Sequence, residues 1–162
     1  MHEVEALIAE QGALVRSVSR LQSAVTCPLP QGLALLPITD ALAKELADTH
    51  PQVTVPRIKP AGHALSDALH DLAVEISLIT PVAFINTYYF GGQGGQDAVV
   101  WEKGSVQLSR ATMGDDRIWP NSPISQALRM MGVVAAPGLD EFDTVGLGLH
   151  RRADRWAASA MN

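Results

Sequence analysis

A chain of 162 residues, 47% hydrophobic and 18% charged, is long enough to bury one apolar core and too apolar for disorder. No apolar run approaches the roughly 18 residues of a membrane span. Twelve Lys and Arg against seventeen Asp and Glu, a net charge of -5, leave no basic stripe for nucleic acid. Cys27 is the single cysteine, so no internal disulfide can form, and residues 1–5 hold no basic stretch leading into an apolar one. Both features predict a cytoplasmic chain without a secretory signal, with Cys27 as a small buried thiol beside Pro28.

In chain order, Val4, Leu7, Ile8, Leu14, Val18, Leu21 and Val25 recur at spacings near three, four and seven, which predicts a helix over about 2–25, weakened at Gly12. Pro28 and Pro30 end it, and Leu33–Leu36 before Pro37 reads as a brief strand. Thr39 and Asp40 offer a cap for a short helix over 41–47, with Leu42 and Leu46 on one face. After the irregular stretch set by Pro51, Pro56 and Pro60, the apolar residues between Leu65 and Ile79 predict a helix over about 63–79, stopped by Pro81.

Residues 1–83 contain no Phe, Tyr or Trp, whereas Phe84, Tyr88, Tyr89, Phe90, Trp101 and Trp119 crowd the next stretch. Large aromatic burial makes this region the expected centre of the fold. Val82–Phe90 reads as a strand covered on both faces over part of its length. Residues 98–101 and 105–109 flank Lys103-Gly104 as a two-residue hairpin. Pairing Glu102 with Ser105 sets Trp101 opposite Val106 and Val99 opposite Leu108 on one face, with Val100 opposite Gln107 and Ala98 opposite Ser109 on the other. Ser122 and Pro123 start a helix that Gly132 ends, Asp140–Asp143 form a helical turn, and the Ala-rich tail is a last short helix holding Trp156. Without βαβ alternation, the expected fold is a single α+β domain over residues 1–162. An antiparallel sheet of three to four strands, centred on residues 82–109, packs against helices from the N-terminal half and short C-terminal helices.

The most conspicuous local chemistry is Tyr88-Tyr89-Phe90-Gly91-Gly92-Gln93-Gly94-Gly95-Gln96-Asp97. A glycine-rich loop brings backbone N–H groups near phosphate, but no Lys follows as in a P-loop, and the sixth position of a dinucleotide fingerprint counted from Gly92 is Asp97. The structural alternative is a wide connection between two strands, where glycine allows positive φ. A third reading makes Tyr88, Tyr89, Gly91, Gly92, Gln93, Gly94, Gly95, Gln96 and Asp97 a protein-contact patch, a composition frequent at interfaces.

His63, Asp67 and His70 share one helix face at i, i+4 and i+7, in reach of a divalent metal, yet no fourth ligand follows and a solvated polar face accounts for them. Asp115-Asp116 reads as solvated loop, and Arg151, Arg152 and Arg155 pair locally with the acids at 140–143. The sequence thus assigns no catalytic residue, metal or cofactor.

Gln31–Asp40, then Tyr89-Phe90-Gly91-Gly92 with Gln96, Val99, Val100 and Trp101, then Asp140-Glu141-Phe142 with Gly146-Leu147-Gly148, resemble small bacterial proteins of the toxin-immunity kind. The resemblance spans about residues 31–150 and implies a protein that neutralises a partner toxin by binding it; it carries no catalytic residue onto this chain. The acidic balance suits a basic protein partner. A homodimer through the amphipathic N-terminal segment also fits the sequence. The competing expectation is a small enzyme or nucleotide-binding domain using Gly91–Gly95, with Asp97 or Glu102 as acid or base. Residues 1–83 carry nine acids and five bases, so the acidity lies far in sequence from the tyrosines.

Overall fold

The computed structural model of the protein describes residues 1–50, 65–91, 93–112 and 120–161. Its strands are β1 (His2–Glu10), β2 (Cys27–Pro28), β3 (Leu33–Pro37), β4 (Val82–Phe90), β5 (Gln93–Glu102) and β6 (Ser105–Ala111). Its helices are α1 (Gln11–Ser17), α2 (Asp40–Thr49), α3 (Asp67–Ser77), α4 (Pro123–Met130), α5 (Glu141–Thr144) and α6 (Ala153–Ala160). The strands form one sheet in the order β2-β3-β1-β4-β5-β6, every neighbouring pair antiparallel. The α+β class stands, but the sheet has six strands rather than three or four.

The added strands come mainly from the N-terminus, where the expected helix over 2–25 is instead β1 followed by α1. β1 pairs with β3 on one side and β4 on the other, so it lies inside the sheet. A strand covered on both faces loses its period-2 pattern, and Val4, Ala6, Leu7, Ile8 and Ala9 are all buried. Their near-continuous apolar run mimics helical spacing. The chain turns helical only after Glu10, whose carboxylate accepts hydrogen bonds from the backbone N–H of Gly12 at 3.0 Å and of Ala13 at 2.7 Å.

Helices cover both faces of this sheet. Val4, Ala6, Ile8, Leu35, Ala83, Ile85, Ala98 and Val100 face one core with Ile124, Leu128 and Trp156 from α4 and α6. The alternate residues Leu7, Ala9, Leu36, Val82, Phe84, Val99 and Trp101 face a second core with Leu14, Leu42, Leu72 and Ile76 from α1 to α3. The division follows chain order: N-terminal helices take one face and C-terminal helices the other.

Several expected details hold. Thr39 caps α2 by accepting from Leu42 N, β3 contains the run 33–36, Pro123 opens α4, and Trp156 is buried on α6. Two need correction. α3 begins at Asp67, capped by Ser66, and ends at Ser77, which leaves Leu78 and Ile79 exposed in the following turn; His63 lies outside the described residues. In the β5–β6 hairpin, Glu102–Ser105 and Trp101–Val106 pair as expected, but a bulge then shifts the register. Leu108 thus lies opposite Val100, Ser109 opposite Val99 and Arg110 opposite Ala98. The extra residue on β6 restores Leu108 to the same face as Val100, where it packs on the core shared with α4. Lys103 and Gly104 both have positive φ, as a type I′ turn requires, and Ser77 accepts both of their N–H groups.

Candidate functional site

The glycine-rich stretch is not a wide connection. Phe90 pairs with Gln93, so only Gly91 and Gly92 lie between β4 and β5, and Gly94 and Gly95 belong to β5 itself. Gly92 lies outside the described residues. A Cβ at Gly94, where φ is +136°, would stand 1.7 Å from the Tyr88 carbonyl oxygen. One at Gly95 would stand 2.7 Å from Tyr88 Oη and 2.9 Å from Thr112 Oγ1. These two glycines let the tyrosine lie across the neighbouring strand, an arrangement that shields an exposed glycine backbone. The space that an open phosphate-binding loop would need is filled by Tyr88 and Thr112.

The proposed contact residues divide by exposure. Tyr88 is 44% and Phe90 76% exposed, and Gly91, Gln93 and Gly94 are also on the surface. Gly95, Gln96 and Asp97 are buried. Gln96 serves the fold: its Oε1 accepts from Ile124 N at 3.1 Å in the first turn of α4, whose N-cap Ser122 makes no side-chain cap bond. The backbone N–H and C=O of Gln96 both bond Thr112 Oγ1. Tyr88 is hydrogen-bonded to Asp97, and burial, together with the charge of Asp97, raises the phenol above its ordinary range. Tyr89 pairs across with His2, on the face where His2 Nδ1 meets Thr87 Oγ1 at 2.7 Å.

What the sequence did not reveal is the neighbour of these tyrosines. Because β1 is a strand, Glu3 lies directly opposite Tyr88, and Glu5 directly opposite Asn86. Directly opposed residues project to the same face, so two N-terminal acids stand beside the aromatic hairpin. Glu3, Glu5, Asp40, Asn86 and Thr39 line a cleft of about 370 Å³ with Arg152 and Asp154. The cleft is shaped on one side by a switch of partners along β1. Ala6 to Glu10 pair with β3, whereas Glu3 bridges Arg152 and its N–H donates to Arg151 O at 2.8 Å.

Arg152 is already engaged, its Nε 3.3 Å from Asp154 Oδ1. Among the described residues, no hydrogen bond or ion pair involves the carboxylates of Glu3, Glu5 or Asp40. Burial without a counter-charge pushes Glu5 up to about 7. The cleft therefore combines unneutralised negative charge with an adjoining aromatic surface. That combination receives cations and apolar groups more readily than anions.

The other candidates fall elsewhere. Asp67 and His70 lie on α3, where His70 is buried with its ring 6.0 Å from that of Trp101, and no group of metal-ligating residues occurs among the described residues. Cys27 is buried, its Sγ donates to Trp156 O at 3.2 Å, and burial pushes the thiol up to about 11, which keeps it protonated and unreactive. Glu102 sits exposed at the far end of the β4–β5 pair from Tyr88. Asp115 and Asp116 lie outside the described residues. No helix among the described residues is long and apolar enough to cross a membrane.

Fold and surface together define an α+β protein with a six-stranded antiparallel sheet covered on both faces and an acidic, aromatic surface at one end of it. Compared with protein-family models, curated proteins and solved structures, the chain shows no match.

Proposed function

We propose that this chain is a non-enzymatic protein-binding module, most concretely a bacterial immunity protein that neutralises a basic partner toxin by occluding it. The observation that carries the reading is the juxtaposition of Glu3 and Glu5 with Asn86 and Tyr88 across the β1–β4 pair. Exposed aromatic side chains are frequent binding anchors, and uncompensated charge beside them steers a partner of opposite sign. Tyr88 is also held in place by Asp97 and Gly95, so little conformational freedom is lost on contact. Occlusion requires no reacting group on this chain, only a rigid surface larger than the partner's active cleft. The contact set includes Tyr88, Gly91, Gln93 and Gly94 on the surface, with Gly95, Gln96 and Asp97 supporting them from beneath.

Co-expression with the product of the neighbouring gene tests the reading. A stable complex is expected on co-purification, together with protection of cells from that product. A neighbouring product that neither binds nor harms the host, with no protection on co-expression, removes the immunity reading.

A further inference from the structure

Resting on the binding role just proposed, we infer that the cleft beside Tyr88 is the seat of one basic side chain of a partner protein, and that Tyr88 and Phe90 pack against an apolar residue next to it. Among the described residues, this end of the sheet offers two chemistries side by side.

The first is charge. Among the described residues Glu3, Glu5 and Asp40 have no counter-ion, and Arg152, which lines the same cleft, is held by Asp154. A guanidinium or ammonium entering the cleft would meet carboxylates from β1 and α2 and the amide of Asn86. An anion would meet the like charges of Glu3 and Asp40, whereas a cation would favour the ionised form of the half-buried Glu5. The cleft, at about 370 Å³, has room for one long side chain rather than a folded segment.

The second is apolar surface. Phe90 at the hairpin turn is 76% exposed and Tyr88, two residues back on the same strand and therefore on the same face, is 44% exposed. Tyr88 stands directly opposite Glu3, which lines the cleft. The occupant that satisfies both is a protein segment in which Arg or Lys neighbours an aliphatic or aromatic residue. A partner rich in acidic residues or an extended phosphate chain fits neither half.

The test uses the full chain, uniformly labelled with ¹⁵N, and two probes: the peptide acetyl-Leu-Arg-Leu-amide and the same peptide with Glu in place of Arg. Saturable shifts of the amide signals of Glu3, Glu5, Asn86 and Tyr88 are expected with the first peptide, with at least tenfold weaker binding of the second. Glu5→Lys should weaken the first peptide at least tenfold. Phe90→Ser, at a ring 76% exposed, should weaken it as well. Equal binding of both peptides, no saturation, or shifts centred elsewhere overturns the inference. So does a concentration-dependent dimer that Glu5→Lys dissociates, because the seat would then belong to a second copy of this chain. The two proposals fail separately. A toxin bound equally by wild type and Glu5→Lys leaves the immunity reading standing and removes this one, whereas peptide binding without any protective partner does the reverse.

Discussion

A single methyl group at Gly94 decides whether the β4–β5 hairpin can close, because its Cβ would fall inside the Tyr88 carbonyl oxygen at 1.7 Å. Gly94→Ala should therefore destabilise the protein by about 2–4 kcal/mol, measured by urea denaturation, since backbone rather than a flexible side chain must yield. Gly91 also has positive φ but no atom within 4 Å of a Cβ position, so Gly91→Ala should cost only about 1–2 kcal/mol of backbone strain. Equal losses at the two sites would contradict the close approach of Tyr88. Glu5 offers a second measurement at this scale. Its folded pKa, about 7, lies above the ordinary value of 4.5, so between those values the native state binds more protons than the unfolded chain. Stability then declines as pH rises through this window, and the full penalty is present above pH 7. Glu5→Gln should consequently stabilise the protein by roughly 1–2 kcal/mol at pH 8, allowing for partial solvent screening, with little effect at pH 4.5. Thermal unfolding at the two pH values separates this from a pH-independent packing effect.

Among the elements, α1 shows how local chemistry overrules an apparent period. Glu10 ends β1 and caps α1 at once, and Glu10→Ala should cost about 1 kcal/mol by chemical denaturation through the loss of two bonds to backbone N–H groups. A smaller loss in Glu10→Asp would be consistent with capping, whereas no loss in Glu10→Ala would show that packing alone fixes the turn. The same region explains what was readable from residue order. β3, α2, α4 and β4 carry their own signals: a Pro-bounded apolar run, Thr39 as a cap, Pro123 at a first helical position, and β-branched and aromatic residues in sequence. β1 carries none, because burial on both faces erases the alternation that distinguishes strands. That one reversal hid the placement of Glu3 and Glu5 beside Tyr88, which depends on pairing between residues more than eighty positions apart. The β5–β6 bulge was hidden for a related reason. Its register is set by Leu108 reaching the core under α4, a tertiary contact absent from the hairpin's own residues.

For the molecule as a whole, one sheet serves two cores, and this has a measurable consequence. Phe84 and Ile85 are adjacent on β4 yet point to opposite cores, Phe84 toward α1–α3 and Ile85 toward α4–α6. Neither layer can lose the sheet without exposing the apolar face that the other layer covers, so the two should unfold together. Trp101 reports from the core under α1–α3 and Trp156 from the core under α4–α6. With Trp119→Phe as background, Trp156→Phe leaves only Trp101, and Trp101→Phe leaves only Trp156. Urea unfolding followed by fluorescence should then give Ile85→Ala, at a cost of about 2–5 kcal/mol, the same displacement of midpoint at both reporters. Phe84→Ala should do likewise from the other side. If Ile85→Ala moves the Trp156 transition and leaves that of Trp101 in place, the layers are energetically separate and the shared strands transmit little. Coincidence would mean that the surface at the end of the sheet is held by both layers at once. The rigidity required of an occluding surface would then be a property of the whole fold rather than of the hairpin alone.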